Sequence, residues 1–288
     1  MRFTKTRDLL ITLLIYLVVV GLGFLLLNIL PFTTFFIKLF VITIIASIFL
    51  FIVSLILKNE AIIEPYWFFS PAMTSLAYFL NQKNYDITCL MLLSFIILWA
   101  SIGLVIWCFN FKGLRNRTFK YQYLKEKFPK IYYLISFGLF FLLPTLVSFI
   151  AMMPCFYYFG NSSGSLMTMV AFAVILIGII LEMVSDCQLY LFKRIPSNDY
   201  LVYTRGLFKN SRHPNYFGEI LFFLGLFLVY YSSASANFLV IGSPLIVFIY
   251  SVFVRIPFIE KEELSTKSAY KEYINSTNQL LPLFPPKK

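Results

Sequence analysis

Two strongly apolar stretches of this chain are separated by a run of polar side chains able to do chemistry. It begins Glu182-x-x-x-Asp186-x-Gln188 and continues from Gly206 to Glu219 as Gly-Leu-Phe-Lys-Asn-Ser-Arg-His-Pro-Asn-Tyr-Phe-Gly-Glu. The run holds the only histidine, His213. Ionisable groups beside hydrocarbon are costly to keep, and in a membrane protein they mark a functional site by default. Glu182 and Asp186 lie four residues apart, so one helix presents them on one face. They can pair with Lys193 and Arg194 at the membrane interface, or accept hydrogen bonds from cofactor hydroxyls such as those of a ribose. Pro214 suits the first position of a helix. The N–H groups opening that helix, beside Arg212 and Lys209, form an anion site that suits a phosphate-bearing cofactor. The plainer reading is a cap where the chain enters the membrane, with His213 satisfying loop carbonyls. Asn215 and Glu219 share a face, and Tyr216 turns aside from it. A further candidate is Glu64-Pro65-Tyr66-Trp67, where Glu64 serves as an acid, or where the aromatic rings sit at the membrane interface with Glu64 among headgroups.

The elements that must position these residues are membrane helices. The chain has 288 residues, 60% hydrophobic and 19% aromatic, with a mean hydropathy of +0.82. Several runs exceed the roughly 20 apolar residues that a spanning helix requires. Spans are predicted at 8–30, 33–57, 65–80, 86–110, 131–159, 165–192, 216–232 and 236–256. The first is too long for a signal-peptide core and has no small-residue cleavage site. The third is short and carries Pro65 and Pro71, so the count is eight crossings, or seven with a re-entrant segment. Pro144 predicts a kink in the fifth span. The fold class is all-α, a polytopic transmembrane helical bundle of about 7–8 spans forming a single integral membrane domain over 1–288. Within it, 1–60 holds two N-terminal spans and 61–286 a core with a cytosolic C-terminal tail.

The net charge of +11 is a topology signal and not a nucleic-acid signal. Most of the 24 Lys and Arg fall at Arg2–Arg7, Lys112–Lys130, Lys193–Arg212 and from Arg255 onward. Loops 30–32, 160–164 and 232–236 hold none. Basic loops stay cytosolic. With both termini in the cytosol, eight crossings put every basic segment there. The tail from Ile259 has helical spacing and reads as a short cytosolic helix on the bundle. The cysteines, Cys89, Cys108, Cys155 and Cys187, lack the spacing of a metal or redox motif and read as packing residues. No metal is expected. The expected partners are membrane lipids and a lipophilic small molecule, with no nucleic acid and no indicated oligomeric state. The compartment is the endoplasmic reticulum or a bacterial inner membrane.

The segment Gly206 to Glu219 resembles the signature of an uncharacterised membrane family grouped with the steroid 5-alpha-reductase C-terminal domain. Glu182-x-x-x-Asp186-x-Gln188, Glu64-Pro65-Tyr66-Trp67-x-x-x-Pro71 and Ile256-Pro257-x-x-Glu260-Lys261 resemble further elements of it, so the likeness covers about 60 to 286. Such reductases hold NADPH among transmembrane helices and deliver hydride to the carbon–carbon double bond of an enone. The resemblance implies cofactor contact for Asp186, Asn215 and Glu182, with Arg212, His213, Tyr216 and Glu219 beside them. It implies substrate polarisation by Glu64. Gly103 to Trp107 lacks the tyrosine that the reductases carry there, so either Tyr66 or another tyrosine donates the proton, or the substrate chemistry differs. The expectation is NADPH-dependent reduction of a sterol- or isoprenoid-like substrate. Arg212-His213-Pro214-x-Tyr216-x-Gly218 with Glu262-Glu263-Leu264 also resembles the isoprenylcysteine carboxyl methyltransferases and related phospholipid methyltransferases, whose cofactor is S-adenosylmethionine. A third reading is a non-catalytic lipid-binding protein that keeps the fold.

Overall fold

A computed structural model describes residues 2–115, 118–162, 164–233 and 238–281. The loop 232–236 and the end of the tail lie partly outside the described residues. Among those residues the chain is all helical, apart from one parallel bridge between Ser211 and Asn278. The helices are α1 (Arg2–Ile29), α2 (Phe35–Leu57), α3 (Tyr66–Gln82), α4 (Ile87–Asn110), α5 (Phe119–Lys127), α6 (Tyr132–Gly160), α7 (Leu166–Lys193), α8 (Pro214–Tyr231), α9 (Gly242–Thr266) and α10 (Tyr270–Ser276). Seven of them (α1, α2, α4, α6, α7, α8, α9) are long and apolar enough to cross a membrane. The protein is an integral membrane protein on that ground.

The chain forms two compact units. One comprises residues 1–85 and 96–150, the other 86–95 and 151–288. In the first unit, buried polar groups tie the start of α1 to the end of α2 and to the segment after α4. Asp8 accepts from the Leu114 N–H at 3.0 Å, and the Asn59 amide donates to the Leu114 carbonyl at 2.6 Å. The Tyr132 hydroxyl donates to Glu60 at 2.6 Å, and that of Tyr16 to the Ile62 carbonyl at 3.0 Å. α3 starts from this joint, to which α4 returns. Its 17 residues rise about 25 Å, short of the roughly 30 Å of a hydrocarbon core.

In the second unit the dominant contact is the antiparallel pair α7–α8. Its backbones touch. A Cβ on Gly218 would lie 2.5 Å from the Glu182 nitrogen and 2.7 Å from the Gly178 carbonyl, and one on Gly178 would lie 2.6 Å from the Phe222 nitrogen. Gly225 meets Ile175 in the same way, with a Cβ 2.5 Å from its Cγ1. Small residues are what let membrane helices approach this closely. At the far end Thr168 and Ser232 hydroxyls meet at 2.7 Å, so the register holds from one end of the pair to the other.

Two helices widen by one residue. In α6 the Leu143 N–H bonds to the Gly138 carbonyl, and in α9 the Ile256 N–H bonds to that of Ser251, each reaching back five residues. Each widened turn directly precedes a proline, Pro144 or Pro257, which has no N–H to donate and crowds the turn before it. The predicted kink at Pro144 is resolved as this wider turn. α9 corrects the predicted span 236–256, because the helix continues through the charged residues to Thr266. Those residues have partners: Glu263 pairs with Lys193 at 3.3 Å and also with Lys267.

Replacing Gly218 with valine should force α7 and α8 apart, because backbone atoms and not flexible side chains fill the space. Overpacking of this kind costs about 1–3 kcal/mol or more. A lowered melting temperature of the purified protein relative to Gly21→Val checks this, since nothing lies within 4 Å of a Cβ at Gly21.

Candidate functional site

The register of α7 against α8 brings Asp186 opposite Asn215, and the Asn215 amide donates to Asp186 Oδ1 at 2.9 Å. One turn along α8, Glu219 is 1% exposed and pairs with Arg255 of α9 at 2.5 Å. The Arg255 guanidinium also lies 4.3 Å from the centre of the Tyr216 ring. A cation–π contact of this kind contributes about 0.5–2 kcal/mol. Glu182 is buried on the same stretch of α7, against Gly218. Glu182, Asp186, Asn215, Tyr216 and Glu219 thus converge where three helices meet. Sequence reasoning missed Arg255, counting it with the basic tail. Its signal was present: an arginine at the end of an apolar run, two residues before a proline that widens the helix.

Arg212 and His213 are also brought together, but toward the C-terminal segment. Arg212 Nε donates to Glu260 at 2.8 Å, and its Nη1 to the carbonyls of Ile274 at 3.1 Å and Thr277 at 2.5 Å. His213 Nε2 meets the same Glu260 oxygen at 3.0 Å. Backbone bonds complete the clamp: Arg212 N–H to the Asn278 carbonyl at 2.8 Å and His213 N–H to that of Gln279 at 3.0 Å. The Tyr273 hydroxyl donates to the Phe208 carbonyl at 2.5 Å. The structure turns Arg212, expected to supply charge to an anion at the start of α8, toward the C-terminal segment. Its guanidinium is committed to Glu260 and to carbonyl groups that would otherwise end a helix unpaired. Gln188 serves the same region, accepting from the Leu207 N–H at 3.1 Å. Gly206 takes φ +59° beside it, where a Cβ would lie 2.4 Å from the Gln188 side-chain oxygen. The left-handed backbone favours glycine there, and a larger residue would also push the Gln188 side chain aside.

Glu64 and Tyr66 lie in the first unit. Glu64 pairs with Lys120 at 3.0 Å and accepts from the Tyr121 hydroxyl at 3.3 Å. The Tyr66 hydroxyl instead donates to the Thr43 carbonyl at 3.1 Å, a helix–helix contact. Sequence reasoning missed Tyr121, which is fully buried, because the basic loop around it drew attention only to charge. It also missed Glu60, 3% exposed and held by Tyr132. The apolar stretch at Gly103 has a packing reason, since any Cβ there would lie 2.3 Å from the Phe68 ring.

Residues 50–277 match the DUF1295 family, described as proteins of unknown function, and the chain belongs to that family. No curated protein and no solved structure matches it.

The clamp predicts that Arg212→Ala loosens the tail. Removing one partner of a buried, hydrogen-bonded pair costs about 3–5 kcal/mol. Limited proteolysis should then cut between Glu260 and Leu281 at least ten-fold faster than in the parent chain. A pH dependence follows from His213. Burial, the largest effect, holds its imidazole below the ordinary value, against the pull of Glu260. The unfolded chain therefore binds the proton more readily. Stability is fully present above pH about 6.5 and declines as pH falls through the lower folded value. His213→Gln should flatten the melting temperature over this window.

Proposed function

We propose that this chain is a membrane oxidoreductase that uses NADPH to reduce the carbon–carbon double bond of an enone in a lipophilic, sterol- or isoprenoid-like substrate. The observation that carries the reading is the Asp186–Asn215 hydrogen bond, which joins the two resembling motifs at 2.9 Å. The donor set fits a nucleotide. Carboxylates of Asp186 and Glu182 accept from ribose hydroxyls, and the Asn215 amide both donates and accepts. Arg255 balances Glu219, so the cluster carries its acids without a net excess of unpaired charge at that pair. Arg205 and Lys209, in the loop leading into α8, add positive charge suited to phosphates. NADPH, when bound, supplies the hydride. Arg212 and His213 act in this reading as positioning residues, fixing the start of α8 through Glu260.

Glu64 accepts hydrogen bonds from both Lys120 and Tyr121, which suits orienting a donor better than donating. The Tyr121 and Tyr66 hydroxyls each give their one proton to a partner, Glu64 and the Thr43 carbonyl. The resemblance assigns polarisation of the substrate carbonyl to Glu64 and proton donation to Tyr66. The membrane orientation that suits the charges keeps α1's start, the segment 111–130, the segment 193–213 and the tail on the cytosolic side of an endoplasmic reticulum or bacterial inner membrane, with α3 as an eighth crossing. For methyl transfer from S-adenosylmethionine, the resembling residues Arg212 and Glu263 both have structural partners, in Glu260 and in Lys193 with Lys267.

NADPH should raise the melting temperature of detergent-purified protein, and S-adenosylmethionine should not. At a hundred-fold excess over Kd, selective binding stabilises the native state by about 2.7 kcal/mol. Asp186→Ala and Asn215→Ala should each weaken NADPH at least ten-fold, about 1.4 kcal/mol, at unchanged expression. A shift with S-adenosylmethionine alone would transfer the assignment to methyl transfer, and a shift with neither would favour a non-catalytic lipid-binding protein.

A further inference from the structure

The family match begins at residue 50, so α1 and most of α2 precede it. These two helices and α3 bound a cavity of about 480 Å³ that lies within one compact unit. The volume falls in the range of roughly 300–1,000 Å³ typical of small-molecule sites. Its walls are overwhelmingly apolar. Small residues make the room: Gly23 on α1, Ala46 on α2 and Ala77 on α3. The inner end is closed by Tyr66, whose hydroxyl is satisfied by the Thr43 carbonyl and makes no demand on a ligand.

Along α2 the lining runs from Phe35 to Ala46, a rise of about 17 Å, which suits one extended hydrocarbon chain. The mouth lies where α1 ends, α2 begins and α3 stops, and there the lining turns polar at Asn81 and Lys83. Lys83 is exposed and holds a left-handed backbone, φ 53°, which ends α3 and leaves the ammonium group at the rim. An ammonium group at the rim suits an anionic head such as a carboxylate.

We propose that this cavity is a binding site for one long-chain fatty acid, its alkyl chain along α2 and α3 and its carboxylate at Lys83. The site rests on the first three helices and does not depend on the reductase reading.

The test is equilibrium binding of radiolabelled oleate to the purified full-length chain in detergent micelles, with oleyl alcohol, monooleyl phosphate and cholesterol as competitors. Saturable binding of one oleate is expected, at least five-fold tighter than oleyl alcohol and not displaced by equimolar cholesterol. Ala77→Phe, which fills the middle of the cavity, should weaken oleate at least ten-fold. Gly23→Leu provides a second filling variant that the fold tolerates, because a Cβ there meets only Ile42 Cγ2 at 3.7 Å. Lys83→Gln should weaken oleate about five-fold and leave oleyl alcohol unchanged. Equal affinity for oleate and oleyl alcohol, tighter binding of cholesterol or monooleyl phosphate, or oleate binding unchanged in both filling variants would overturn the assignment.

Discussion

The structure of the second unit depends on the close approach of α7 and α8. Inside a bilayer, lipid tails are as apolar as leucine, so helices gain little from hiding apolar faces. What remains is packing, and packing strengthens as backbones come nearer. Gly178, Gly218 and Gly225 allow direct backbone contact, with would-be Cβ atoms 2.5–2.9 Å from the facing backbone. Contact this tight has one register. That register puts Asp186 opposite Asn215 and Glu182 against Gly218, and a slip of one turn would separate them. The polar cluster is therefore a consequence of an apolar constraint.

A second constraint comes from proline. Pro257 deprives α9 of a donor, the helix answers with a wider turn over Ser251–Arg255, and Arg255 reaches Glu219 and Tyr216 from that turn. An arginine among apolar helices is costly unless its charge is matched. Glu219 supplies the match, and the aromatic face of Tyr216 covers the guanidinium. The same logic operates at Glu260, which takes hydrogen bonds from Arg212 and His213 while the tail carbonyls take the remaining donors. The motif around His213 thus serves two neighbourhoods. Its first half, Ser211 to His213, holds the tail, and its second half, Asn215 to Glu219, belongs to the cluster.

Much of the candidate site was legible because ionisable residues are rare in apolar sequence and stand out there. Glu182, Asp186, Asn215, Tyr216 and Glu219 were found in this way, and they do converge. Direction was not legible. Arg212 reads as a phosphate ligand from its neighbours in sequence, but its partners at residues 260, 274 and 277 are remote along the chain. Tyr121 was hidden for the opposite reason, as one tyrosine among many in a basic loop, and only burial beside Glu64 distinguishes it.

By itself the sequence determined that the chain is helical and lies in a membrane, because runs of apolar residues longer than the bilayer is thick admit almost no other structure. It determined most helix ends to within a few residues, through prolines and charges. Only the tertiary structure decided which acid meets which base, since each pairing joins residues tens of positions apart and depends on how close two backbones can come. It also decided that α1, α2 and α3 leave an apolar cavity between them. A cavity is a volume that side chains fail to fill, and no stretch of sequence states what its distant neighbours will leave empty.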